Sequence, residues 1–254
     1  MQIAILAYDH MTALDAVGPY EVLSRLPGAE TIFVGGQRGP VRCDTRSLAI
    51  VVDAALDEVT TPDVLVIPGW SGSGQDALLA PGAVQDWIRA ADDHTTWTTS
   101  VCTGAIVLAA AGILTGRRAT THWLAADWLA GLGALPKSQR VVRDGKYVTA
   151  AGVSAGLDMA LTLAADIAGQ RNAMAIQLLL EYDPQPPFDA GSVGKAPADI
   201  VASMRAVGDF IVHGAPVSQR DWSPDEDHNE PPEEHAPDGR GRDDGDHRPE
   251  PLRD

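Results

Sequence analysis

The architecture of the chain can be read outward from the stretch Trp97-Thr98-Thr99-Ser100-Val101-Cys102-Thr103-Gly104-Ala105. Its first half is rich in β-branched residues, so residues 95–101 are expected to form a strand. Its second half is made of small residues, so residues 103–111 are expected to form a helix that stops at Gly112. A single Cys separates the two elements. A chain passing from strand to helix within one residue must turn sharply, and bulky neighbours there would clash with strand or helix. Such an elbow fits a strand–helix unit in a mostly parallel sheet covered on both faces.

The rest of the chain repeats this alternation. Residues 2–8 are a short apolar run that reads as a buried parallel strand. Residues 12–26 follow with helical periodicity, after a loop at Asp9-His10. Residues 31–34, 48–52 and 63–67 read as strands, the last closed by Pro68-Gly69. Residues 75–79 and 84–91 read as helices broken by Pro81-Gly82, and residues 122–129 as another helix. Residues 140–142 and 147–150 flank Asp144-Gly145, the strongest hairpin signal in the chain. Residues 154–167 and 172–180 are the last long helices. The prediction is an α/β fold whose ligand site lies at the carboxyl ends of the strands.

Composition narrows the function. The chain has 254 residues, 19 Lys+Arg against 35 Asp+Glu, and a formal net charge of −16. Nucleic-acid binders need clustered Lys and Arg, and membrane-surface proteins need basic patches, so both are disfavoured. No stretch is long and apolar enough to span a bilayer, and the N-terminus lacks the basic flank of a signal peptide. Two Cys, Cys43 and Cys102, imply no disulfide framework and point to a reducing cytoplasm. Residues 220–254 hold 13 acidic residues, 5 Arg and 6 Pro with almost no apolar side chains. They carry half of the net charge and are expected to be a disordered acidic tail. The α/β domain is expected to end near residue 185, at Asp183-Pro184-Gln185-Pro186-Pro187. Residues 186–219 are then a partly helical extension, with an amphipathic piece at 198–212 that docks on the body or on a second subunit.

Four places carry candidate chemistry. Cys102 at the elbow sits at the start of a helix, whose dipole is expected to lower the thiol pKa and make a nucleophile; as a bare pattern it also fits a small buried residue. The amide of Thr103 is expected to face an anion forming beside the sulfur. Asp15, in Leu14-Asp15-Ala16-Val17-Gly18-Pro19, lies just past the first strand at the same sheet edge. It fits a general acid or base, and equally a helix N-cap. In Ile67-Pro68-Gly69-Trp70-Ser71-Gly72 the amides of Gly69 and Trp70 are candidates for an oxyanion or substrate site. No Gly-Lys-Ser/Thr follows, so this is not a P-loop. His122, in Thr120-Thr121-His122-Trp123, is a candidate partner of Cys102 or a structural residue. Cys43 lacks any such setting. No Cys/His cluster has zinc spacing, and the tail residues His228, His235 and His247 are irregularly placed, so no metal site is expected.

Taken in chain order, these motifs resemble the DJ-1/PfpI superfamily over roughly residues 1–185. The residues that carry the resemblance are Leu14-Asp15-Ala16-Val17-Gly18-Pro19, Ile67-Pro68-Gly69, Val101-Cys102-Thr103-Gly104-Ala105, Thr120-Thr121-His122-Trp123 and Gly152-Val153-Ser154-Ala155-Gly156-Leu157-Asp158. Within the superfamily the chain is most similar to the isonitrile hydratases. The resemblance implies a flavodoxin-like three-layer sandwich, a homodimer, a Cys nucleophile at Cys102 and no cofactor. Many members carry Glu where this chain has Asp15, and the hydratases share the Asp. Protease-like members have His after the nucleophile, where this chain has Thr103, which argues against a peptidase triad. Trp70 replaces the second Gly of a common Pro-Gly-Gly, and its indole is expected at the rim of the pocket.

The reaction implied is attack of a Cys102 thiolate on the terminal carbon of an isonitrile, giving a thioimidate that water converts to an N-substituted formamide. Asp15 is expected to move protons among sulfur, nitrogen and water, with Thr103 positioning it or the substrate. Two other readings remain: a redox or metabolite sensor without turnover, and a glyoxalase- or deglycase-like hydrolase. Some members of the superfamily are sensors fused to a helix-turn-helix reader, but no basic recognition helix follows residue 185 here.

Overall fold

The computed structural model describes residues 1–72, 75–208 and 212. Its strands are β1 (Gln2–Leu6), β2 (Glu30–Gly35), β3 (Gly39–Arg42), β4 (Ala49–Val52), β5 (Ala54–Ala55), β6 (Val64–Ile67), β7 (Trp97–Val101), β8 (Arg118–Ala119), β9 (Leu135–Pro136), β10 (Val141–Asp144) and β11 (Tyr147–Ala150). Its helices are α1 (Ala13–Leu23), α2 (Asp76–Leu79), α3 (Ala83–Asp92), α4 (Gly104–Ala110), α5 (Ala126–Gly131), α6 (Ala155–Ala168), α7 (Gln170–Leu179) and α8 (Ala198–Ala206). The central sheet has seven strands in the order β10-β11-β7-β6-β1-β2-β5. All neighbours are parallel except β10 and β11, the antiparallel hairpin around Asp144-Gly145.

Strand periodicity sorts the core into two layers. Ala4 and Leu6 of β1, with Leu65 and Ile67 of β6, face a cluster built from α3, α4 and α5. Ile3 and Ile5, with Val64 and Val66, face α1, α6 and α7 on the other side. Every one of these side chains is almost fully buried, at roughly 1.5–3 kcal/mol for each large one. The result is a three-layer α/β sandwich.

This topology fixes where a site can form. From β1 the chain crosses to β2 on one side, whereas β6, β7 and β11 continue on the other, so the strand order reverses between β1 and β6. The carboxyl ends of β1, β6, β7 and β11 lie along one edge, and a crevice forms where the order reverses. Residue 102 leaves β7 at that edge, and Gly69 leaves β6 beside it.

Two expected elements differ. Residues 48–52 do form a strand, β4, but it pairs only with β3 in a separate antiparallel hairpin, with Val51 60% exposed. The sheet edge is β5, two residues long, too short to leave a periodic signal. Residues 122–129 start as a 3-10 turn, Trp123–Ala125, before α5 begins, because His122 caps the turn by accepting from Leu124 N–H. In the C-terminal extension, α8 sets Arg205 over the ring of Trp123 at 5.5 Å, a contact to the body of the same chain. The expected acidic tail, residues 220–254, lies outside the described residues.

Candidate active site

Cys102 has φ 58°, a left-handed backbone that L residues rarely adopt. The elbow imposes it. The Cys102 amide donates to the carbonyls of Ala150 (3.1 Å) and Ala151 (3.0 Å), and its carbonyl accepts from the Thr121 hydroxyl (2.9 Å). Both ends of the residue are therefore tied down, and the side chain is left 4% exposed. Gly104 is required next, since a Cβ there would overlap the Ile67 carbonyl.

Asp15 reaches the elbow from the first turn of α1. It is not the N-cap, a position held by Thr12. Its Oδ2 accepts the Gly69 N–H at 3.0 Å, while Oδ1 makes no hydrogen bond to a described residue. The carboxyl is completely buried, and burial pushes its pKa up to about 8. The Gly69 N–H and then the Cys102 thiol oppose that rise, and the charge of Asp44 adds to it. Gly69 permits this approach because it has no side chain. A Cβ there would lie 2.5 Å from Thr103 Oγ1, 2.6 Å from Thr103 N and 3.0 Å from Asp15 Oδ2.

The expectation of an acidic thiol is corrected. Burial pushes the Cys102 thiol well above its ordinary value, and the charge of Asp15 adds to this. The N–H and hydroxyl of Thr103 and the N–H of Val153 favour the thiolate without overcoming burial.

The role expected of the Gly69 and Trp70 amides is also corrected. Gly69 N–H is taken by Asp15, and Trp70 N–H by the Thr103 hydroxyl at 2.8 Å. Both amides build the site and neither is free to bind an oxyanion. The Trp70 indole is not at a rim: it is 1% exposed, in the core, edge-on to Trp128 with ring centroids 6.0 Å apart. His122 is brought to the neighbouring loop, where a Cβ on Gly152 would lie 3.0 Å from its Cδ2. Burial lowers its pKa, and among the described residues no hydrogen bond joins it to Cys102 or Asp15. Cys43 is buried and free. Among the described residues no group of three or more His, Cys, Asp and Glu could hold a metal ion.

The chain has counterparts among known proteins. Residues 1–166 match the sequence profile of the DJ-1/PfpI family. The chain belongs to the DJ-1/PfpI family. A family relative, the isonitrile hydratase of Pseudomonas putida, is 42% identical over 205 residues, covering 81% of this chain and 89% of the relative. A THiJ/PfpI family protein from Pseudomonas syringae superposes with a TM-score of 0.79 at 41% identity, over 82% of this chain and 86% of its own. DJ-1beta of Drosophila melanogaster shares the DJ-1/PfpI fold with a TM-score of 0.64 at 23% identity, over 71% of this chain and 97% of its own.

Two participants in this DJ-1/PfpI site escaped the sequence reading. Val153 follows β11 and turns its N–H toward the sulfur. Tyr8 follows β1 and donates its hydroxyl to the Pro68 carbonyl at 2.8 Å. Both signals were present in principle, since each residue sits just past a strand at the site edge. Tyr8 belongs to no residue pattern that marks chemistry, and Val153 lies in the Gly152-to-Asp158 motif without a side chain that marks it.

Proposed function

We propose that this chain hydrates isonitriles to N-substituted formamides, with Cys102 as nucleophile and Asp15 as proton carrier. The observation that carries the reading is the buried Asp15 carboxyl set against the Cys102 thiol, with Oδ1 bonded to no described residue. The 42% identity to an isonitrile hydratase over most of both chains supports it. A thiol 4% exposed also suits the slender terminal carbon of an isonitrile, which can approach end-on.

The Asp15 carboxylate takes the Cys102 proton on Oδ1 as sulfur bonds to the isonitrile carbon. It returns that proton to the same carbon, which becomes the C–H of a thioimidate, S–CH=N–R. Protonation of nitrogen alone would not suffice, because the formyl hydrogen must be placed on carbon. Water then adds its oxygen to that carbon while nitrogen gains a proton. The C–S bond breaks as the carbonyl forms, the hydroxyl proton returns to sulfur through Asp15, and HC(=O)–NH–R leaves. A carboxyl titrating near neutrality is suited to accepting and releasing protons in turn. Thr103 helps to hold the anionic sulfur that departs.

The raised thiol pKa and its burial support oxidation sensing less well, since sulfenic acid forms at exposed thiolates. No helix among the described residues is long and apolar enough to cross a membrane. Two buried free cysteines fit the cytoplasm. A homodimer is supported by the apolar face of α7, where Met174, Leu178 and Leu179 are 67%, 76% and 69% exposed.

The test is formation of formamide from an aryl isonitrile by the purified protein, with Cys102→Ala as control. Turnover by the wild type and none by the variant is expected. A folded wild type that produces no formamide overturns the reading.

A further inference from the structure

The Pro68–Gly69 peptide is gripped at both ends. Its carbonyl oxygen, on Pro68, accepts the Tyr8 hydroxyl at 2.8 Å. Its N–H, on Gly69, donates to Asp15 Oδ2 at 3.0 Å. One rigid amide plane therefore joins a phenol to the carboxyl that faces the sulfur. A hydrogen bond accepted at the carbonyl polarises the amide and strengthens its N–H as a donor, because bonds in a chain reinforce one another in a dry interior.

We infer that Tyr8 is a positioning residue for Asp15, acting through the Pro68–Gly69 peptide to orient and strengthen the hydrogen bond that holds the carboxylate. Tyr8 touches neither substrate nor sulfur in this role. It sets the proton affinity of Asp15 from the far side of the peptide. Other charged and titratable groups act on Asp15 as well. The Cys102 thiol favours the carboxylate from the elbow, and Asp44 disfavours it from the loop after β3. Asp44 is itself held by the Thr12 hydroxyl at 2.8 Å, and Asp15, Cys102 and Asp44 all lie within electrostatic reach of the Tyr8 phenol.

The inference deepens the reading of Asp15 as proton carrier and rests on it, but its readout needs no isonitrile. The measurement is infrared difference spectroscopy of the full chain across pH. The protonated-carboxyl stretch of Asp15 is identified by its loss in Asp15→Asn. In Tyr8→Phe, which keeps the ring, the midpoint of that band is expected to rise by about half a pH unit, as one bond in the chain is removed. Global replacement of tyrosine by 3-fluorotyrosine, a stronger phenolic donor, is expected to move it down; Tyr20, Tyr147 and Tyr182 make no contact with Asp15 among the described residues. An unchanged midpoint in folded Tyr8→Phe overturns the inference. Should that variant not fold, an unchanged or raised midpoint in the fluorotyrosine protein overturns it instead. Absence of isonitrile turnover, by contrast, would remove the hydratase reading and leave this titration result intact.

Discussion

The Thr103 hydroxyl closes a two-way clasp on the Trp70 backbone, accepting its N–H at 2.8 Å and donating to its carbonyl at 3.1 Å. Residues 33 positions apart are thus locked where β6 and β7 end. Because the Trp70 peptide groups are buried, no solvent replaces the clasp.

Thr103→Val keeps the shape and removes the oxygen. It leaves a buried N–H and a buried carbonyl unpaired, at about 1–3 kcal/mol each. Urea unfolding is expected to show that loss, together with a fall in turnover, since the clasp holds in place the residue whose N–H favours the thiolate. Thr103→Ser is expected to restore most of both. Equal stability of the Val variant and the wild type would contradict the clasp.

Gly69→Ala places a methyl 2.5 Å from Thr103 Oγ1. Something must shift, and the neighbours are the elbow backbone and the Asp15 carboxylate. The expected cost in stability is about 1–3 kcal/mol. A misplacement of about 1 Å at the reacting groups is expected to cut turnover about 100-fold. Steady-state kinetics beside thermal unfolding would separate the two effects.

The raised pKa of Asp15 makes two expectations for pH. If the carboxylate is the form that takes the thiol proton, kcat/KM rises with pH and levels off above about 8. The stability effect has the opposite sense. The folded-state pKa lies above the ordinary 3.8, so the folded chain holds the proton more tightly than the unfolded one. The contribution of Asp15 is therefore whole below pH 3.8 and is lost as pH rises toward 8. Asp15→Asn is expected to gain stability relative to wild type over that window, by up to about 1.4 kcal/mol per pH unit. A pH-independent difference between the two proteins would refute the raised pKa.

Leu178→Glu on α7 is expected to shift the protein from dimer to monomer in light scattering after size-exclusion chromatography, with the near-complete burial of Cys102 intact. A wild type that is monomeric at all concentrations would rule the dimer out.

Much of this molecule could be read from local pattern. The β-branched run into Cys102 and the small residues after it specify the elbow, and Asp144-Gly145 specifies the β10–β11 hairpin. Asp15, Cys102, Thr103 and Gly69 were each singled out and meet at one edge. What pattern could not supply was direction. A sequence shows that Gly69 and Trp70 have amides, but not that Asp15 and Thr103 already occupy them. It shows an indole at Trp70, but not that the indole packs on Trp128, a contact made across 58 positions. The sign of the Cys102 shift depends on burial, which is a property of the assembled layers. Tyr8 was invisible because its partner is a carbonyl, and every residue has one.

The left-handed backbone at Cys102 bears on how such a protein ages in evolution. A glycine would occupy φ 58° without the steric cost that a side chain incurs. Substitution by glycine would relax the turn and at the same time remove a side chain buried among Val101, Val148, Ala150, Ala155 and Met159. Drift toward glycine here is therefore opposed by lost packing as well as favoured by relief of the turn.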